Sequence, residues 1–534
     1  MKTIYKNGAV YTGKLPLVEA FAVEDGKFVF AGSSAEADAL AAAGDKVVDL
    51  GGKFVCSGFN DSHMHLLNYG SSLLKAQLAA HTESLEDMLA CLDTFQKEHP
   101  RKDGAWLMGR GWNQDYFTDV DRMPNRYDLD RVSTEVPICA TRACGHCLVV
   151  NSKALELLGV TADTPQPEGG EIGMENGEPD GRFFDNAMEP VYDSIPVPSK
   201  EEIKDMIRSA CKALNSYGVT SSQSDDYCVY RAVPWQTVNE AYKELEDSGE
   251  LTVRVYEQSN FTDLESLKGF VEAGNVTGIG TDRFKIGPLK MLGDGALGAR
   301  TAFLADDPST CGIPVFTQET MDEMIGYANA HGMQAAVHTI GDACLDRVLS
   351  AYEKALAENP REDHRHGIVH CQITRADQLE KIAKMHLHVY AQSIFLDYDN
   401  HIVEERVGKE LASTSYSWKT LMNNGVSVSN GTDCPVELPD ALACMQCAVT
   451  RTTLRDHVGP YLPDQKFTVQ EALDSYTIRS AEASFEENVK GQIAEGMMAD
   501  FVVLGQNPFE VDESTIKDIP VCRTYLAGEL VYEA

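Results

Sequence analysis

From Phe54 onward the chain alternates short apolar strands with amphipathic helical stretches at near-regular spacing, and this limits the fold more than any other feature. The strand-like segments are "KFVCSGFNDSH", "GVTSSQS", "LTVRVYEQ", "RFKIGPLKMLGD", "MQAAVHTIGD", "HGIVHCQ", "LHVYAQSIF" and "GVSVSNGTD". Helical stretches such as "ETMDEMIGYANAHG", "ADQLEKIAKMH" and "SWKTLMNNG" separate most of them. In "EEIKDMIRSACKALNSYG", Ile203, Ile207, Ala210 and Leu214 fall on one stripe, as an amphipathic helix requires. Strand, helix, strand at this spacing predicts βαβ units and a parallel sheet. Eight such units make a closed (β/α)8 barrel, repeating about every 30 residues. His338 and His370 stand one repeat apart. An open doubly wound sheet is the second choice, lowered because no G-x-G-x-x-G follows the first strand.

The two chain ends break this pattern. "TIYKNGAVYTG" and "AFAVEDGKFVFAG" carry Asn-Gly and Asp-Gly hairpin signals, and "ADFVVLGQNPF" and "CRTYLAGELVYEA" also read as strands. Neither end can bury a core alone, so residues 1–56 and 488–534 are expected to form one composite β domain. Residues 57–487 then form the barrel. Within it, about 70–200 lacks the repeat and reads as a large insertion after the first strand. Long excursions there sit over the catalytic face of a barrel.

Lys plus Arg is 46 and Asp plus Glu is 82, a net charge of −36. That surface repels phosphate backbones and anionic lipid, and no basic stripe offsets it, so neither nucleic acid nor membrane is an expected partner. No run approaches about 18 apolar residues, and "MKTIYKNGAV" holds no long apolar stretch, so neither a membrane span nor a secretory signal is expected. The 14 cysteines are scattered, which fits reduced thiols in a cytoplasm. Cys144 with Cys147, and Cys444 with Cys447, are C-x-x-C pairs. The gap between the pairs far exceeds zinc-ribbon spacing, and the second pair reads as a buried helix turn.

The chemistry concentrates at strand ends. In "GFNDSHMHLL", His63 and His65 are i and i+2, so both point to one side at the C-terminal end of the first strand, where barrel active sites lie. His338 ends "QAAVHTIGD", His370 ends "HGIVHCQ", and Asp433 ends "VSVSNGTD". Each alone is ordinary at a strand end, and a lone Asp there is usually a cap or turn residue. Together, four strand ends of one barrel converge on a point with five metal-binding side chains. Lys290 closes "FKIGPLKML". As an ammonium it has no lone pair and cannot ligate. As an amine it can take up carbon dioxide, and the resulting carbamate could bridge two metals.

"SGFNDSHMHLL", "LKMLGDGALGARTA", "AVHTIGDACLD", "IVHCQ", "SNGTDCPV" and "KGQIAEGMMADFVVLG" resemble the motifs of the amidohydrolase superfamily, in family order and over nearly the whole chain. "TRACGHCLVVNSKAL" is similar to the branch that holds N-substituted formamide deformylase-like proteins. The resemblance implies a distorted (β/α)8 barrel with a small β-sandwich built from both chain ends. It implies that His63 and His65 bind the more buried metal and that a carboxylated Lys290 bridges. It further implies that His338 and His370 bind a second metal, with Asp433 as ligand and proton shuttle. Ser57, Asn60 and Val369 depart from the family pattern without removing a ligand.

The expected activity is hydrolysis of a non-peptide carbon–nitrogen bond in a small-molecule amide, N-substituted formamide or N-acyl compound. A metal-activated hydroxide would attack and Asp433 would carry the proton. One or two divalent ions are expected, zinc before manganese or iron. The alternatives are a mononuclear deaminase of a heterocycle, an ester or lactone hydrolase, and a non-catalytic metal-binding scaffold. Asp294 and Arg300 in "GDGALGARTA", and His146, Arg142 and Trp112 in the insertion, are candidate substrate contacts. A turn ion pair and a core tryptophan are the plain alternatives for the first pair and for Trp112. A homodimer is expected from chain size and the long insertion.

Overall fold

The computed structural model describes residues 1–99, 104–143, 146–230, 232–305, 312 and 314–534. Among these residues, eight parallel strands make one sheet that follows chain order. They are β1 (Phe59–Met64), β2 (Val219–Ser224), β3 (Arg254–Asn260), β4 (Phe284–Leu292), β5 (Ala335–Thr339), β6 (Gly367–His370), β7 (His388–Ala391) and β8 (Val428–Asn430). Helices return the chain between strands. Gln318–Ala330, for example, buries Met321, Met324, Ile325 and Ala328 on one stripe.

The segment after β8 comes back to β1 and closes the ring. The Asp433 N–H donates to the His63 carbonyl at 2.9 Å, and the His65 N–H donates to the Cys434 carbonyl at 2.8 Å. The Asp61 carboxylate accepts from the Thr432 N–H at 3.1 Å and from its hydroxyl. Gly431 is required at this seam, because a Cβ there would meet the His63 nitrogen at 2.6 Å. Register shifts between β1 and β2 and between β3 and β4 make the barrel distorted.

Both chain ends contribute to two further sheets. One is four-stranded and comes from residues 3–49. In the other, Phe54–Ser57 pairs antiparallel with Phe501–Leu504. The shared core holds Tyr5, Phe21, Phe28, Phe501 and Tyr525. Tyr5 stacks on Phe21 with centroids 4.7 Å apart, and Phe501 stacks on Tyr525 at 4.3 Å. Residues 1–68 and 210–534, barrel and sandwich together, form one compact unit. Within it, the Arg254 guanidinium at the start of β3 grips Asp500 at 2.6 and 3.0 Å, with both side chains buried.

Residues 69–209 form a second compact unit. It has its own mixed sheet and its own core, which includes Leu85, Met88, Leu92, Trp112 and Leu129. Its strands do not follow the βα alternation, so the repeat vanishes from the sequence there. Cys144 lies outside the described residues. Cys147 is buried in the strand Cys147–Val150, and Cys444 and Cys447 are buried on the helix Ala441–Thr450. Among the described residues, no helix is long and apolar enough to cross a membrane.

A buried charge cluster near the start of β4 gives a pH-dependent stability. Glu486 accepts from Lys285 at 2.7 Å and pairs with Lys490 at 2.7 Å. Burial opposes its charge, but the two ammonium groups hold its carboxyl down to about 2. Its contribution is therefore complete above the ordinary glutamate range near 4.5 and is lost as pH falls toward about 2. Glu486→Gln is expected to lower stability by roughly 3–5 kcal/mol at neutral pH, since it leaves the buried Lys490 ammonium with only the Ser221 hydroxyl and no carboxylate. Urea unfolding should show the gap between variant and wild type narrowing between about pH 4.5 and 2. A gap that stays constant with pH would refute this assignment.

Candidate metal centre

The end of β1 brings His63 and His65 toward Asp433, which follows β8 across the closure seam. Asp433 Oδ1 lies 3.2 Å from His63 Nε2 and 3.1 Å from His65 Nε2. The opposite ring nitrogens are already engaged. His63 Nδ1 is 2.8 Å from Gln258 Oε1, and His65 Nδ1 is 3.2 Å from the Asp225 carbonyl. Those oxygens only accept, so each Nδ1 carries the hydrogen and the neutral ring presents its Nε2 lone pair inward. With both rings neutral, two lone pairs and a carboxylate oxygen face one another, a donor set that suits a cation. Ligand atoms on a tetrahedral ion at about 2.0–2.1 Å would be roughly 3.4 Å apart, close to the two His–Asp spacings, and the three atoms all lie within 4.8 Å of one another.

The electrostatics agree. Burial and Lys290 push His63 down to about 4, so it stays neutral. Burial also disfavours charge on His65, yet Asp433 lifts it to about 9. Burial would raise the Asp433 carboxyl, but the two imidazoles hold it well below the usual carboxylate range. Without metal, a proton on His65 supplies the missing positive charge. Metal binding would release it.

Lys290, on β4, is fully buried, and its Nζ lies 3.4 Å from His63 Nε2 and 3.3 Å from Asp225 Oδ2. Asn260 Nδ2 donates to the same Asp225 oxygen at 3.0 Å. His338 and His370 meet across β5 and β6. His370 Nε2 is 2.9 Å from His338 Nδ1, while His338 Nε2 is tied to the Gly295 carbonyl at 3.0 Å. His338 therefore offers Nδ1, and burial drives it down to about 4 and His370 well below the ordinary histidine range. His370 Nδ1 is buried with no partner. The His63 and His370 rings are 5.7 Å apart, so the two groups adjoin. His370 and Asp433 hold left-handed φ values of 74° and 57°, a strain of about 1–3 kcal/mol each that commonly marks functional sites.

Asp294 Oδ1 lies 3.6 Å from His338 Nε2. Asp294 is buried and accepts backbone N–H groups from Phe303, Ile340 and Gly341 at 2.8–3.0 Å, so it ties the loop after β4 to the end of β5. Burial lifts its carboxyl to about 6. Arg300 is exposed and pairs with Glu405 at 2.9 Å. Trp112 is fully buried in the second unit and donates to the Ala140 carbonyl at 2.9 Å. Arg142 bonds Asn113, Gln114 and Asp115 in that unit, and His146 is exposed beside Asp185 at 3.0 Å.

Gln258, Asp225 and Asn260 escaped the sequence reading. A signal was present: β3 ends in Glu257, Gln258, Ser259 and Asn260, four consecutive buried polar residues. A parallel strand covered on both faces ordinarily runs apolar.

Comparison with known proteins gives a consistent result. The family described as the amidohydrolase family matches residues 46–532. The putative amidohydrolase YtcJ of Bacillus subtilis (strain 168) is 34% identical over 549 residues and covers 100% of both chains. The N-substituted formamide deformylase of Arthrobacter pascens is 25% identical over 528 residues, covering 96% of this chain and 95% of that protein. The crystal structure of an uncharacterized metal-dependent hydrolase from Pyrococcus furiosus aligns with a TM-score of 0.78 and 29% identity. It covers 96% of this chain and 100% of that one.

Proposed function

Since the chain belongs to the amidohydrolase family, we propose that it hydrolyses a non-peptide carbon–nitrogen bond of a small molecule: an amide, an N-substituted formamide or an N-acyl group. The family implies a divalent metal. The observation that carries the reading is the convergence of His63 Nε2, His65 Nε2 and Asp433 Oδ1, with both Nδ1 atoms already committed. His63, His65 and Asp433, with Lys290, His338 and His370, would hold one or two ions. Imidazole and carboxylate donors suit zinc, and Lys290 would join as the carbamate of carbon dioxide.

A divalent cation supplies Lewis acidity when bound: it polarises a carbonyl and makes water a better nucleophile near neutral pH. The chain supplies the rest. Gln258 and the Asp225 carbonyl keep His63 and His65 in the tautomer that points Nε2 inward. Asp433 offers the carboxylate that takes a proton from the attacking water and returns it to the departing nitrogen. The net charge of −36 favours a small-molecule substrate over a polyanion. A cytoplasmic homodimer is the proposed setting.

A second reading, a mononuclear deaminase of a heterocycle, draws on the Lys290–Asp225 contact at 3.3 Å. A lysine engaged there leaves His63, His65 and Asp433 as a single-ion group. Turnover of matched panels separates the two. Acid and amine released from amides and formamides supports the first, and ammonia released only from aminated heterocycles replaces it with the second.

A further inference from the structure

Two glutamines beside His370 are buried with unpaired amide atoms. Gln392 directly follows β7 and is 1% exposed, yet neither its Oε1 nor its Nε2 has a hydrogen-bond partner. Gln372, two residues past His370, is 2% exposed. Its Nε2 donates to Asp399 Oδ2 at 2.8 Å and to the Tyr416 hydroxyl at 2.9 Å, which fixes the amide and leaves Oε1 unpartnered. Buried amides normally find partners, and a protein that keeps three such atoms open gives up stability.

Their position is informative. Gln392 caps the short turn Ser393–Phe395 that follows Tyr390 and Ala391 at the end of β7. Tyr390 packs with Ala336 and Val369, and Ala336 stands two residues before His338 on β5. The backbone is pinned on both sides of Gln392. The Gly431 N–H donates to the Ala391 carbonyl at 2.9 Å, and the Ser393 N–H donates to Asn430 Oδ1 at 3.1 Å. The turn that follows lays Phe395 parallel to the His370 ring, with centroids 5.7 Å apart. The backbone that carries Gln392 is thus held rigidly, three residues from the ring that packs on His370.

We propose that Gln392, assisted by Gln372, recognises a secondary amide in the substrate. Gln392 Oε1 accepts the substrate N–H. This rests on the amide-hydrolase reading above and narrows it: an ester of the same shape offers no hydrogen to the waiting acceptor.

The test compares metal-loaded wild type with Gln392→Met on para-nitroacetanilide and on para-nitrophenyl acetate. The variant should lose roughly 10–100-fold in kcat/KM on the anilide, chiefly through KM, as for one or two lost hydrogen bonds. On the ester it should stay close to wild type. Its Tm should hold or rise, because a matched apolar side chain removes the unpaired atoms. Equal losses on both probes, or a fall in Tm with no selectivity between them, would overturn the proposal. Should the wild type turn over neither probe, the hydrolase reading fails for this class, and calorimetric binding of acetanilide decides the present point. Binding at least about tenfold weaker in the variant upholds it, and equal binding, or binding to neither protein, rejects it.

Discussion

Asp433→Asn is expected to lower kcat by roughly 10²–10⁴-fold while the protein stays folded, because the substitution keeps the shape and removes the proton acceptor. Asp433 faces His63 and His65 at 3.2 and 3.1 Å, so the amide also weakens the negative side of the cation site. Metal affinity should drop as well. The left-handed backbone at Asp433 is compatible with asparagine, which tolerates φ near 57°. Folding therefore should not confuse the result. Steady-state kinetics with elemental analysis of the same sample checks it. A variant with full metal and near-normal kcat would remove Asp433 from the chemistry.

Lys290→Met is the second large effect, and it acts on stability and on metal together. Lys290 is fully buried and Asp225 is 3% exposed, with 3.3 Å between Nζ and Oδ2. Losing the lysine strands a buried carboxylate, so metal-free Lys290→Met should be less stable by roughly 3–5 kcal/mol. Adding Asp225→Asn should recover most of that loss, the coupling expected of two groups in contact. Activity should not return in the double variant, because a bridging carbamate needs the Lys290 nitrogen. Denaturant unfolding and turnover on all three variants measure both parts. Recovery of stability and activity together would make Lys290 a structural partner only and favour the deaminase reading.

The barrel was legible because four of its strands lead into a histidine or carboxylate. Apolar runs stop at His63, His338, His370 or Asp433, and helices of period 3.6 fill the gaps. Hairpin signals at Asn7–Gly8 and Asp25–Gly26 marked the terminal strands, where the structure has left-handed φ at Asn7 and Asp25. Other features depend on contacts between residues far apart in the chain. Gln258 meets His63 across 195 positions and Asp225 meets Lys290 across 65, and neither pairing leaves a local period. Trp112 shows the same limit. "GRGWNQ" reads equally as pocket wall or core, and only the packing around it shows the core. Asp294 sits beside a glycine in "GDGALG", and its carboxylate accepts from backbone N–H groups 9, 46 and 47 positions away.

Elemental analysis of protein made in zinc-supplemented medium with bicarbonate, read as metal content per chain, decides whether His63, His65 and Asp433 hold an ion. Close to two ions per chain are expected, with Lys290 modified. About one ion would leave Lys290 paired with Asp225 and put the mononuclear deaminase first. No metal, and no uptake when metal is added, would contradict the account and leave His63 and His65 as the end of a strand.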